Sequence, residues 1–282
     1  MSEQKLFLID GSSLLYRSYY AIQHLSTSKG FPTNAVYGFV NMLKKLMEKE
    51  KPSYLGIVFD PKGPTIRHKA FKDYKAHRKP MPEDLVVQIP VVKKIIRALN
   101  IPFFEYENYE ADDVLASLAR LASSQNISSV IITNDKDLLQ LVDESTIVYN
   151  PVKEIYIDKE KVKDYFGVLP SQVTDVLALW GDPTDNIPGV PGIGEKTSKE
   201  LINEFGSLEN LLKNLEKIKK PRLQQAIKQS LDQLRLSRQL ATVEKELELE
   251  FKLEDFSVAE PNYKELIQIL SLIHISEPTR QA

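Results

Sequence analysis

The chain has 282 residues, 42% hydrophobic and 27% charged, enough for one large domain or for one with a small satellite. Its 37 Lys and Arg against 39 Asp and Glu leave a formal charge of -2, which excludes a generic cationic coat for nucleic acid; DNA binding would have to come from local patches. With no Cys, disulfides, thiolate zinc sites and Cys nucleophiles are excluded, and no apolar run approaches signal-peptide or membrane-spanning length, so a cytoplasmic protein is expected.

Three short apolar runs lead into acids. Lys5–Ile9 ends at Asp10, Leu55–Phe59 ends at Asp60, and Ser129–Thr133 precedes Asp135 and Asp137. Runs apolar on both faces read as central strands of a parallel sheet. The helical patterns Ala35–Glu50, Pro82–Leu99 and Ala111–Ser123 lie between them. Alternation of strand and helix predicts an α/β fold with its site at the strands' carboxyl ends. Residues 1–170 read as this α/β core, and residues 171–270 as a helical part, with helices at Lys196–Phe205, Ser207–Leu215 and Arg222–Ala241.

Two further acidic groups open other elements: Glu110-Ala-Asp112-Asp113 and Asp182-Pro-Thr-Asp185. Singly, such acids are commonplace helix caps and turn residues. Together with Asp10, Asp60, Asp135 and Asp137 they exceed what capping needs. Clustered carboxylates repel unless cations sit among them, and hard oxygen ligands suit Mg²⁺ or Mn²⁺. Two such ions can activate water and steady both oxygens of a phosphodiester displacement.

From Arg67 to Lys79 six Lys and Arg accompany one acid. As a helix this segment would align Arg67, Phe71, Tyr74 and Arg78 in one stripe and Lys72, Lys75 and Lys79 in the next. Cations interleaved with aromatics suit single-stranded nucleic acid, although a solvated basic helix is the commoner case. Gly189-Val-Pro-Gly192-Ile-Gly194-Glu-Lys196-Thr197 fails as a phosphate-binding P-loop, because Glu195 separates the last Gly from Lys196. It reads instead as a tight hairpin feeding a helix whose free N–H groups can hold a phosphate.

Phe59-Asp60, Arg67, Tyr74-Lys75-x-x-Arg78, Glu110-Ala-Asp112-Asp113, Asp135-Lys136-Asp137 and Gly181-Asp182-Pro-Thr-Asp185-Asn186-Ile-Pro-Gly189 together resemble the 5′-nuclease (5′-3′ exonuclease) domain of bacterial DNA polymerase I, in the flap endonuclease superfamily. The resemblance spans residues 5 to about 270. It implies a mostly parallel sheet flanked by helices, of the PIN/5′-nuclease type, with a helix–hairpin–helix at about 181–212. It implies a two-metal site of Asp10, Asp60, Glu110, Asp112, Asp113, Asp135, Asp137, Asp182 and Asp185. The basic segment, about 64–82, becomes a mobile gateway in which Tyr74 stacks on a base and Lys75 and Arg78 meet the scissile phosphate. Arg17, Arg67 and Lys72 are expected on DNA; so are Gly192, Gly194, Lys196 and Thr197, at a hairpin that in relatives binds a monovalent cation, K⁺. The implied substrates are branched or nicked duplex DNA with 5′ flaps, and RNA-primer junctions, cut by a monomer that a polymerase domain would follow in the full-length protein.

A non-catalytic junction-binding paralogue is the alternative, but it would gain only phosphate repulsion from so many acids. A toxin-type ribonuclease of similar architecture would have no reason to carry the hairpin. Finally, Ser271–Ala282 departs from the family's pattern and resembles a translated sequencing adaptor, so residues 271–282 are expected to be a poorly packed, non-native tail.

Overall fold

The computed structural model of the chain describes residues 4–273. Strand β1 (Lys5–Asp10) runs into helix α1 (Gly11–Ala21), followed by α2 (Asn34–Glu50), β2 (Tyr54–Val58), α3 (Ile66–Ala70), α4 (Glu83–Val86), α5 (Ile89–Ala98), β3 (Phe103–Phe104), α6 (Ala111–Ser124) and β4 (Ser128–Ile132). Then come β5 (Thr146–Asn150), β6 (Ile155–Ile157), α7 (Lys159–Phe166), α8 (Val173–Trp180), α9 (Glu195–Phe205), α10 (Leu208–Lys213), α11 (Pro221–Gln229), α12 (Leu231–Ala241) and α13 (Tyr263–Leu272).

The strands form one sheet in the order β3-β2-β1-β4-β5-β6, parallel throughout except for β6. Register places Asp10 beside Val58 and Ile9 beside Ile132, so the ends of β1, β2 and β4 align at one edge. Side chains alternate along each strand. Leu6 and Leu8 enter the core shared with α6 and the helices beyond residue 170, whereas Phe7 and Ile9 enter the core shared with α1, α2, α5 and α13. The fold is therefore three layers, helix–sheet–helix.

The three strands read from the sequence are present, and three more join them. β3 is only two residues, and β5 and β6 are flanked by polar turns, so none offers a long apolar run. The pattern Pro82–Leu99 divides into α4 and α5, with Pro90 in the first turn of α5. Arg222–Ala241 divides at Ser230. The larger departure is the basic segment. Helix ends after Ala70 because Phe71 is extended (ψ 109), and Lys75 takes a positive φ of 56, so the two helical stripes expected over 67–79 do not form.

Of the expected non-native tail, residues 274–282 lie outside the described residues. Ser271 and Leu272 complete α13, and Ile273 is buried in the core rather than poorly packed.

Candidate metal centre

Most of the acids converge on the carboxyl edge of the sheet. Asp10, Asp60, Glu110, Asp112, Asp135, Asp137 and Asp185 line one cavity of about 440 Å³, together with Arg17, Lys75 and Arg78. Each acid arrives through ordinary local structure. Asp10 ends β1 and caps α1, accepting from the Ser13 amide at 2.9 Å. Gly11 permits that turn, since a Cβ there would lie 2.7 Å from Ile57 and 2.8 Å from Phe59. Asp60 follows β2 and accepts from the Ala111 amide at 2.8 Å, at the start of α6. Glu110 caps the same helix. Asp135 and Asp137 follow β4 in a turn where the Asp137 amide donates to Asp135 Oδ1 at 2.9 Å. Asp185 sits in the turn before α9. Capping and membership of the cluster coexist in the same side chains.

The electrostatics are those of negative charge without enough partners. Burial, then repulsion from Asp60 and Asp135, pushes Asp10 up to about 7. Burial is also the largest cause at Asp112, followed by Asp135, Asp10 and Asp60, and it holds that carboxyl far above the usual range. Asp137 is raised by burial and then by Asp135. Asp135 is raised by burial first, with Asp185 and Asp182 adding repulsion, but it keeps exposed surface, so water screens part of that repulsion; Asp10, only 4% exposed, is screened far less. Asp137 Oδ1 is buried with no hydrogen-bond partner. A buried carboxylate oxygen without a donor is costly, and a bound cation would satisfy it. Among the described residues no three Asp, Glu, His or Cys side chains are grouped closely enough to hold a metal ion as they stand. The acids share one cavity without three of them meeting at a point.

Two expected members fall elsewhere. Asp113, expected as a ligand, is 0% exposed and points away from the cavity. Its Oδ2 accepts from Arg67 Nη1 at 2.7 Å and its Oδ1 from Arg67 Nη2 at 2.8 Å; the Glu110 and Glu244 amides also donate to it, at 3.2 and 2.9 Å. Those bonds leave no oxygen open for a cation. Arg67, expected on DNA, is correspondingly buried, its remaining donors directed at Glu110 (3.3 Å) and the carbonyls of Leu240 and Thr242 (2.9 Å each). Asp182, expected as a ligand, does not line the cavity; it accepts from the Thr184 amide at 2.8 Å and faces Lys136 Nζ at 3.4 Å.

The basic segment also lines the cavity, through Arg67, Tyr74, Lys75 and Arg78. Lys75 Nζ donates to Glu110 at 2.6 Å, and Arg78 pairs with Asp185. The segment is tied down by backbone as well: the Lys75 amide donates to Asp185 O at 2.9 Å, and Asn186 Nδ2 to Asp73 O at 2.7 Å. Tyr74 does not present a face for base stacking in this arrangement. It is 3% exposed, edge-on to His68, with its hydroxyl donating to Glu110 at 3.0 Å. Lys72 and Arg17 are exposed. Gly192, Gly194, Lys196 and Thr197 stand outside the cavity on the hairpin entering α9, where the Lys196 side chain is 91% exposed.

Sequence reasoning overlooked the polar residues that hold the acids. Thr133 Oγ1 donates to Asp10 at 2.9 Å and accepts from the Asp135 amide at 3.0 Å; Ser12 Oγ accepts from the Asp60 amide at 2.8 Å. Buried Gln140 joins the Asp137 carbonyl (2.8 Å) to Ala241 O (3.0 Å) and the Val243 amide (3.0 Å). The one available signal was Thr133, a hydroxyl residue closing an otherwise apolar run just before Asp135.

Residues 5–167 match the family model for the 5′-3′ exonuclease N-terminal resolvase-like domain, and residues 168–264 match that for its C-terminal SAM fold. The chain belongs to the 5′-3′ exonuclease family. A 5′-3′ exonuclease of Aquifex aeolicus is 45% identical over 267 residues, covering 94% of this chain and 90% of its own. DNA polymerase I of Caldicellulosiruptor bescii is 45% identical over 272 residues, covering 94% of this chain but 32% of the polymerase. The chain thus spans about a third of the length of the DNA polymerase I relatives it matches. Among solved structures, T5 5′-exonuclease with divalent metal ions (zinc) bound superposes with a TM-score of 0.73 at 20% identity, covering 86% of this chain and 90% of that one. The catalytic core of Rad2 in complex with DNA substrate gives 0.63 at 19%, covering 96% and 88%. The family is one of nucleases. No helix among the described residues is long and apolar enough to cross a membrane.

Proposed function

We propose that this chain is a structure-specific 5′ nuclease that hydrolyses phosphodiesters at 5′ flaps, nicks and RNA-primer junctions of duplex DNA, in replication and repair. The observation that carries the reading is one cavity lined by seven acids together with Lys75 and Arg78, which pair with Glu110 and Asp185. Asp10, Asp60, Glu110, Asp112, Asp135, Asp137 and Asp185 would hold two divalent cations, Mg²⁺ or Mn²⁺, while Asp182, outside the cavity, faces Lys136. Such ions, when bound, supply an activated water and neutralise charge on the phosphate. The DNA-bound and metal-bound relatives support this use of the site.

The protein's own groups then divide the work. Glu110 and Asp185 currently hold Lys75 and Arg78 as counter-ions. Lys75 and Arg78, if released from these pairs, would turn to the scissile phosphate and stabilise its growing charge. Residues 171–270 act as the DNA-holding part, in which Gly192, Gly194, Lys196 and Thr197 grip duplex backbone without reading sequence, with K⁺ at the hairpin. Arg17 and Lys72, both exposed, meet the displaced strand. A polymerase domain following this one in a longer chain, and action as a cytoplasmic monomer, belong to the same proposal.

The test is single-turnover cleavage of a 5′-flap duplex with Mg²⁺ and with EDTA, for the wild type, Asp112→Asn and Asp135→Asn. Cleavage should need Mg²⁺ and vanish in both variants while flap binding persists. Full activity in either variant would remove the two-metal assignment; binding without cleavage by the wild type would favour the junction-binding paralogue.

A further inference from the structure

Away from the cavity, the most uneven distribution of charge lies between the end of α10 and the end of α11. Residues 213–228 carry Lys213, Lys217, Lys219, Lys220, Arg222 and Lys228 against the single acid Glu216, in a chain of formal charge -2. All six cations are exposed. None of them belongs to an ion pair among the described residues, whereas surface cations elsewhere are commonly paired, as in Lys159–Glu144 (2.6 Å), Lys199–Glu195 (2.6 Å) and Lys44–Glu48 (3.7 Å). Unpaired like charges held together repel, so their concentration here opposes the ordinary tendency of a surface to intersperse signs.

The cations stand on a fixed platform. Ile218 (7% exposed) and Ile227 (0%) anchor the turn and α11 in the core, so the neighbours of Ile218, Lys217 and Lys219, are turned to solvent. Pro221 starts α11, and Gln224 Nε2 closes the turn on Leu215 O at 2.8 Å. The Leu223 and Gln224 amides both bond the Lys220 carbonyl, at 3.0 and 3.2 Å, which fixes the backbone that bears the charges.

The chemistry of a partner follows from what the surface lacks. No large exposed apolar side chain occurs between Leu169 and Tyr263 among the described residues. A protein interface needs an apolar or aromatic centre, whereas a nucleic-acid backbone asks only for cations spaced along it. We infer that the 213–228 turn is a second phosphate-backbone contact, gripping duplex DNA beyond the hairpin at Gly189–Lys196 and independently of base sequence. The inference rests on the DNA-processing function proposed above.

The experiment is a salt series of binding titrations, by fluorescence anisotropy in EDTA, with a 5′-flap duplex. The proteins are the wild type, the triple variant Lys219→Ala/Lys220→Ala/Arg222→Ala, and the milder Lys219→Gln/Lys220→Gln. The triple variant should bind about tenfold more weakly near ~100 mM salt, and its slope of log affinity against log salt should flatten by about two to three, since each phosphate contact contributes roughly 0.9. The glutamine pair should show a smaller change of the same sign. Melting temperature and the single-turnover rate at saturating enzyme should match the wild type, because these side chains touch neither core nor cavity. Affinity and slope equal to the wild type in both variants would overturn the inference and leave an acidic protein as the partner of this surface. A wild type that binds no flap DNA would overturn it together with the nuclease reading; a wild type that binds, beside variants that bind equally well, sinks this inference alone.

Discussion

Asp112 and Asp113 leave the first turn of α6 in different directions: Asp112 enters the cavity, whereas Asp113 turns into the protein and meets Arg67. Consecutive helical side chains diverge by about 100°, so adjacent acids are seldom equivalent. Removing charge from each should therefore have opposite consequences for stability. Asp113→Asn strips the counter-ion from a buried guanidinium, and breaking such a pair typically costs about 3–5 kcal/mol. Asp112→Asn, by contrast, relieves repulsion from Asp135, Asp10 and Asp60, and in metal-free buffer its unfolding free energy should equal or exceed that of the wild type. Urea denaturation of the two variants in EDTA checks this; equal losses in both would show that Asp113 is just another member of the acid cluster.

The basic segment shows how tertiary contacts overrule helical periodicity. Its cations, stacked on helical stripes, would repel; as a turn they are drawn to separate acids, Lys75 to Glu110 and Arg78 to Asp185, while Asn186 and the Asp185 carbonyl hold the backbone. An element pinned to the cavity in this way should govern the rate more than the grip on DNA. Lys75→Ala and Arg78→Ala are expected to slow single-turnover flap cleavage by about 10²–10³, the usual size for losing one preorganised charge-stabilising group, with little change in duplex affinity. Lys196→Ala, out on the hairpin, should do the converse, weakening binding and reducing its salt slope by about one. Loss of affinity at unchanged rate for Lys75→Ala and Arg78→Ala would assign the segment to holding DNA instead.

At the scale of the whole molecule, β1, β2, β4 and α6 deliver their acids to one place, so cation binding should be felt as global stability. A divalent ion that binds only the folded state at ~100 times its dissociation constant stabilises it by about 2.7 kcal/mol. For a chain of this size that corresponds to a rise of about 5–10 °C in melting temperature. Calorimetry with Mg²⁺ against EDTA should show a rise of that order, and Asp137→Asn, which replaces the carboxylate that carries the unpartnered Oδ1, should diminish it; the absence of any Mg²⁺ effect on wild-type melting would argue against a preformed metal site. The amino-acid sequence by itself determined the central strands and the edge at which their acids gather. Residues 5–9, 55–59 and 129–133 are apolar on both faces, and such runs have few stable places other than the middle of a covered sheet. It also marked all seven acids of the cavity, since each follows a strand or opens a helix or turn, but it marked Asp113 and Asp182 with them. Tertiary structure alone decided which acid faces the cavity and which is spent on a partner, because Asp113 and Arg67 stand 46 residues apart and their pairing depends on how α3 and α6 come together. It alone decided the shape of residues 71–79, whose anchors at Asp185 and Asn186 lie over a hundred residues further along. Periodicity and propensity report on neighbours along the chain, whereas the fate of a charge is set by whatever folds across from it.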